Sequence, residues 1–212
     1  MQGGSSSTRG LFGAGGGSGS PGFVNTIEYV TIATTANATD FGDLNETTFQ
    51  GAATGNETRY VYGGGTTPTV KDVIDYVTIA SAGNATDFGD VTSEDTRNPM
   101  GASSSTRGVI AGGQTNAPSN GTDAIDFLTI ATTGNTTDFG NLTDGRRRGS
   151  GLSNSIRGVF TGGYDPSNKN IIDYITIATT GNAQDWGDLI AADDNERNGD
   201  QGATSDCHGG LS

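Results

Sequence analysis

Four stretches of this chain are apolar on both alternating sets of positions, which reads as strand rather than helix. The clearest is Ile172-Asp173-Tyr174-Ile175-Thr176-Ile177-Ala178, rich in β-branched and aromatic residues, with no helical period and no cap. Ile175 and Ile177 point to one face of such a strand, Tyr174 and Thr176 to the other. Apart from Asp173 near its start neither face is charged, and a strand apolar on both faces is expected to be buried on both. Residues 27–33, 73–80 and 125–131 hold the same place in three further stretches. Shorter β-prone segments flank each one. In the last stretch these are Arg157-Gly158-Val159-Phe160-Thr161 before it and Asp185-Trp186-Gly187-Asp188-Leu189 after it. The turn formers Tyr164-Asp165-Pro166-Ser167-Asn168 and Thr179-Thr180-Gly181-Asn182 separate them. A fourth strand is predicted through Gly101-Ala102-Ser103-Ser104-Ser105 and its counterparts, where small residues allow neighbouring sheets to pack closely.

These segments recur as a repeat. Asp40-Phe41-Gly42-Asp43 returns as Asp87-Phe88-Gly89-Asp90, Asp138-Phe139-Gly140-Asn141 and Asp185-Trp186-Gly187-Asp188, at steps of 47, 51 and 47 residues. Twelve residues before each ring lies another, Tyr29, Tyr76, Phe127 and Tyr174, and an arginine opens each unit, Arg9, Arg59, Arg107 and Arg157. A second period of 98 residues links Arg9 to Arg107 and Arg59 to Arg157, so the chain reads as a duplicated pair of units that differ in one loop. The expectation is one all-β repeat domain over 1–212, with four four-stranded units at about 3–50, 51–98, 99–148 and 149–201 and a partial fifth at 202–212. Such units form a small, four-bladed β-propeller or a stacked array of β-blades.

Composition sharpens this. Apolar residues are only 31% of 212 and the net charge is −13, a balance that alone would suit a disordered chain. The repeat decides against disorder, because the few apolar residues concentrate in strands that neighbouring units cover, leaving acidic and polar residues for the rims. The charge argues against nucleic acid and against anionic membranes as partners. The lone Cys207 cannot form an internal disulfide, and Met1-Gln2-Gly3-Gly4-Ser5 lacks the basic and apolar regions of a signal peptide.

Gly162-Gly163, Tyr174 and Trp186 resemble in order the Gly-Gly, Tyr and Trp of kelch blades, with Gly64-Gly65 and Gly112-Gly113 supplying the pair in the second and third units. The first unit reads Ala14-Gly15 there, and three units carry Phe for Trp. Residues 157–189 are also similar, almost along their length, to tandem repeats in tail-fibre and other virion structural proteins of marine bacteriophages, and the other units are nearly as similar. That resemblance implies a non-enzymatic phage virion structural protein, tail fibre or tail-associated, that assembles with itself and other virion proteins and contacts the host surface. It implies synthesis in the bacterial cytoplasm and a place in the virion. The alternatives are a self-assembling extracellular filament subunit and a glycan-binding β-propeller module.

Candidate chemistry is sparse. Asp43, Asp90 and Asp188, with their partner aspartates across a Gly turn, offer oxygens to a Ca²⁺ ion; the plainer reading is an aspartate turn bonding its own amides. The four arginines could form an anion-binding cluster, but a repeated arginine more simply ties each unit to the next. Arg146-Arg147-Arg148 reads as a solvated loop, and the Asn-x-Ser/Thr sequons at Asn37, Asn84 and Asn135 as turn composition. Gly17-x-Gly19-x-x-Gly22 carries Pro21 and precedes a strand, so it is no dinucleotide loop. His208, the only histidine, stands in a Gly-rich tail beside Cys207, too few ligands for zinc and without a partner to orient a catalytic base. No cofactor and no catalysis are expected. The assembly interface is expected at the ends, in Ser5, Ser6, Ser7 and Arg9 and in Ala203, Thr204, Ser205 and His208.

Overall fold

The structure, a computed structural model, describes residues 2–16, 22–92, 96–116 and 120–190. They form four four-stranded antiparallel sheets, each a simple meander in chain order. The first contains β1 (Gln2–Ser5), β2 (Arg9–Gly16), β3 (Phe23–Thr31) and β4 (Thr39–Thr48). The second contains β5 (Ala52–Gly55), β6 (Arg59–Gly63), β7 (Val73–Thr78) and β8 (Thr86–Asp90). The third contains β9 (Met100–Ser103), β10 (Arg107–Ala111), β11 (Ala124–Thr129) and β12 (Thr137–Asn141). The fourth contains β13 (Ser150–Ser153), β14 (Arg157–Thr161), β15 (Ile171–Thr176) and β16 (Gln184–Asp188). The chain is therefore all-β, in four tandem units that fit a propeller-like arrangement of blades. The pair period has two causes: the second-to-third-strand connection spans 112–123 in the third sheet against 64–72 and 162–170 in the even ones, while in the first sheet the extra residues lengthen β2 and β3 instead.

The inner strands β1, β5, β9 and β13 pack on one another in sequence. Their small residues permit it. A Cβ on Gly101 would lie 2.1 Å from the Ala53 carbonyl oxygen, and one on Gly151 would lie 2.0 Å from that of Gly101. Any side chain there would force the sheets apart.

The core consists of three separate apolar clusters, one between each pair of consecutive sheets. Leu11, Ile27, Phe41 and Leu44 of the first sheet meet Tyr60, Tyr62, Val77 and Ile79 of the second. Val61, Ile74, Phe88 and Val91 then meet Ile110, Leu128 and Ile130. Val109, Ile125, Phe139 and Leu142 meet Phe160, Ile175 and Ile177. Tyr60 enters the first sheet where Gly4 and Gly13 leave room, and a Cβ at either would come within 2.6 Å of its ring or hydroxyl. Burial raises the Tyr60 hydroxyl pKa well above the ordinary tyrosine value and pushes that of Tyr62, whose oxygen accepts from the Gly51 amide, up to about 12.

Because each sheet is buried only by its neighbours, the outward faces of the first and fourth sheets stay exposed. Phe12 is 39% exposed, whereas its equivalents Tyr62, Ile110 and Phe160 are 0–3% exposed. The same side chain should therefore matter unequally by position. We expect Phe160→Ala to cost about 3–5 kcal/mol, as large buried aromatics do, and Phe12→Ala to cost about 1 kcal/mol, by urea denaturation of the two variants against the parent.

Candidate functional site

The residues that mark the repeat converge on the joints between sheets. In every sheet the third and fourth strands slip register after an isoleucine: Ile27 pairs with Gly42 and Glu28 with Asp40, Ile74 with Gly89 and Asp75 with Asp87. The same shift follows Ile125 and Ile172. The aromatic between the paired residues is bulged, its ring turned into the joint and its carbonyl left out of its own ladder. The next sheet takes that carbonyl. Gly83 N donates to Phe41 O at 2.7 Å, Gly134 N to Phe88 O at 2.6 Å and Gly181 N to Phe139 O at 2.7 Å. Two residues on, Ala85, Thr136 and Ala183 donate to the carbonyls of Asp43, Asp90 and Asn141 at 2.8–2.9 Å. In return the amides of Asp43, Asp90 and Asn141 donate to the side-chain oxygens of Asn84, Asn135 and Asn182 at 3.1–3.2 Å. A short strand-like ladder thus runs from one unit to the next.

The glycine of each motif lies under that ladder. At Gly42, φ is +146° and an added Cβ would meet the Gly83 carbonyl oxygen at 2.4 Å. Both conformation and space exclude a side chain there.

The arginines complete the joint. Nη1 of Arg9, Arg59 and Arg107 donates across it to the carbonyls of Ile79, Ile130 and Ile177 at 2.7–2.9 Å. Each guanidinium also lies 4.4–4.8 Å from the ring centroid of Tyr29, Tyr76 or Phe127 on its own sheet. Those rings stand edge-on to Phe41, Phe88 and Phe139. Arg157 has no such carbonyl among the described residues and lies over Tyr174 and Trp186 instead. The arginines tie unit to unit, and one per unit spread along the array does not gather into an anion site.

The Gly-Gly pairs 64–65, 112–113 and 162–163 all hold positive φ, and Ala14 takes the first position in the first sheet at φ 54°. Gly65 N and Gly113 N donate to Thr96 O and Arg146 O in the connections that lead to the following sheet. Asp40, Asp87, Asp138 and Asp185 each accept from the amide two residues on, at 3.0–3.1 Å, which is the aspartate turn. Asp43 and Asp90 take part in the joint through their main chains, and Asp188 is exposed. No group of three His, Cys, Asp or Glu that could hold a metal occurs among the described residues.

Two expectations are corrected. Arg146 is not in a solvated loop. It is fully buried, with Nη1 2.8 Å from Asp173 Oδ2 and on the Asp144 carbonyl, and Nη2 on Phe160 O. Nor do all acidic residues go to the rims. Asp75, Asp126 and Asp173, in the middle of otherwise apolar strands, are buried at the joints. Asp75 accepts from Asn45 N and Nδ2, and Asp173 accepts from Thr143 N and Oγ1. The sequence signal was there, an acidic residue between an isoleucine and a ring in all four units, as was the asparagine that follows each turn glycine or alanine.

The expected terminal interface divides. Ser5, Ser6, Ser7 and Arg9 form the β1–β2 hairpin, where Ser6 Oγ accepts from the amides of Thr8 and Arg9. Arg9 is engaged within the chain at the first joint. Ala203, Thr204, Ser205 and His208, the partial fifth unit and Gly17–Gly19 of the glycine loop lie outside the described residues.

No family model matches the chain, and no curated protein matches it. A solved structure described as "Structure of YjhT" is similar in fold, with a TM-score of 0.70 and 11% identity, over 89% of this chain and 70% of that one. At that identity the likeness shows the fold alone.

Two outcomes follow from the joint. Arg107→Ala should cost about 1–2 kcal/mol through its cross-joint bond, and Arg157→Ala less than about 1 kcal/mol, by chemical denaturation. Burial, countered in part by the Asn45 amide and side chain, raises the Asp75 pKa above the ordinary carboxylate value. A carboxyl with a raised folded pKa favours the native state when protonated. Its contribution is therefore fullest below pH 3.8 and is lost as pH rises through the raised value. The urea midpoint of the parent should fall relative to that of Asp75→Asn across this range, and parallel curves would show that Asp75 does not titrate there.

Proposed function

We propose that this chain is a non-enzymatic structural part of a bacteriophage virion, tail fibre or tail-associated, which works by assembly with itself and other virion proteins and by contact with the host surface. The observation that supports it most is that the repeat signature is a joint. The arginine, the bulged aromatic, its glycine and the turn asparagine all hold one unit to the next. Selection on such a signature is selection for building an array. The resemblance of residues 157–189 to tandem repeats of marine phage virion proteins supports the virion setting.

An antibody to the chain tests this on particles purified from a lysate of the host that carries the gene. Gold label on tails or fibres by electron microscopy is the expected outcome. Particles without label, with the protein left in the soluble fraction, would overturn it.

A further inference from the structure

The three internal joints define two halves, a socket on the forward face of each sheet and a plug on the backward face of the next. The fourth sheet displays a socket and the first sheet a plug, both exposed. In the socket, Trp186 is 53% exposed, against 2–3% for Phe41, Phe88 and Phe139. A Cβ on Gly187 would meet nothing within 4 Å, where Gly42, Gly89 and Gly140 meet a carbonyl or its carbon at 2.4–2.6 Å. The guanidinium of Arg157 lies 5.0 Å from the Tyr174 centroid and 5.3 Å from that of Trp186, placed as its three counterparts are over their own rings. In the plug, Ile32 is 58% exposed, against 0–2% for Ile79, Ile130 and Ile177, whose carbonyls take the arginines. Asn37 stands where Asn84, Asn135 and Asn182 bond the neighbouring main chain.

We propose that a second copy of this chain docks its first sheet on the fourth sheet of its neighbour, repeating the internal joint between molecules. Arg157 then donates to the partner copy's Ile32 carbonyl, Trp186 is covered, and Asn37 accepts from the Asp188 amide. The occupant follows from continuity with three joints already built from these residue types. By sequence the segment 191–212 lacks what the plugs carry, with no isoleucine and no Gly-Asn turn, and it has five acidic residues. Two residues of the plug depart, with Glu28 where the joints bury Asp75, Asp126 and Asp173, and with Ala36 where the other turns have Gly83, Gly134 and Gly181 at φ 150–159°. A Cβ meets open space at each of those glycines, so the methyl group is accommodated. Its cost is conformational, because Ala36 must adopt a φ that glycine adopts freely. The contact is heterologous, so copies join reciprocally into a closed ring or add in series.

This rests on the assembly reading above but not on the virion setting, and its test needs only the 212-residue chain. Trp186 is the single tryptophan, so its emission reports the joint directly. With rising concentration, light scattering should show a mass above 21.5 kDa while the emission shifts to the blue. Trp186→Asp and Ile32→Asp, both at exposed positions, should each abolish the mass increase while keeping the parent's circular dichroism. Mixing the two variants should restore one joint, giving pairs of twice the chain mass and nothing larger. Ala36→Gly should lower the concentration of half-assembly by about tenfold. A parent that stays at 21.5 kDa at all concentrations would overturn the proposal. So would assembly that both variants leave intact, which would put the interface elsewhere, including the segment 191–212. Either failure is distinct from a failure of the virion setting, which gold label on virion tails decides by itself.

Discussion

The structure depends on one displaced carbonyl. In a regular antiparallel ladder the main chain of the last strand would satisfy itself against the third strand and show its neighbour only side chains. The bulge at Phe41, Phe88, Phe139 and Trp186 withdraws one residue from that ladder and turns its carbonyl toward the next unit. A carbonyl so placed, beside a buried ring, must find a donor. The turn glycine of the following sheet supplies it in three joints. Everything else at the joint is arranged around that bond. The motif glycine clears the space, the asparagine closes the ladder from the other side, and the arginine fastens the end of the following sheet's third strand at Ile79, Ile130 or Ile177.

Apolar contact supplies most of the joint's stability and polar groups supply its register. Each cluster draws on both sheets and none lies within a single sheet, so an isolated unit would expose its core. A low apolar fraction suffices because every buried side chain serves two units. The buried aspartates act differently. Asp75 and Asp173 each take two donors from one residue of the preceding unit, and a slip of the sheets would strand a carboxylate without partners. Arg146 answers one of these charges and is buried with it, so an arginine triplet that looks like surface has its first member in the core.

Much of this was legible in the sequence. The spacing of Arg, ring and Asp-ring-Gly-Asp marks the four units and places the central strands of the second, third and fourth within a residue or two, whereas β3 begins four residues before the expected 27–33. The cross-unit role of the arginines was also readable, since a residue repeated once per unit finds its partner at the unit boundary. What was hidden is whatever depends on the third dimension of the joint. A charge inside an apolar strand looks like an edge defect until the facing unit is seen to carry its donors, as Asn45 does for Asp75. Arg146 could not be told from Arg148 by composition. Ile32 and Trp186 look identical in kind to their buried equivalents, and only the order of the sheets shows them exposed.

The ladder between units is made largely of main-chain amides and carbonyls, which every residue type possesses. Leu11 gives way to Val61 or Val109, and Asp43 to Asn141, without changing the bonds that cross the boundary. Recombination between copies of the gene segment would therefore add or delete whole units and still leave a working boundary at the splice. Length in such a protein is an easily inherited variable, adjustable in steps of one blade, while the chemistry of the seam stays constant.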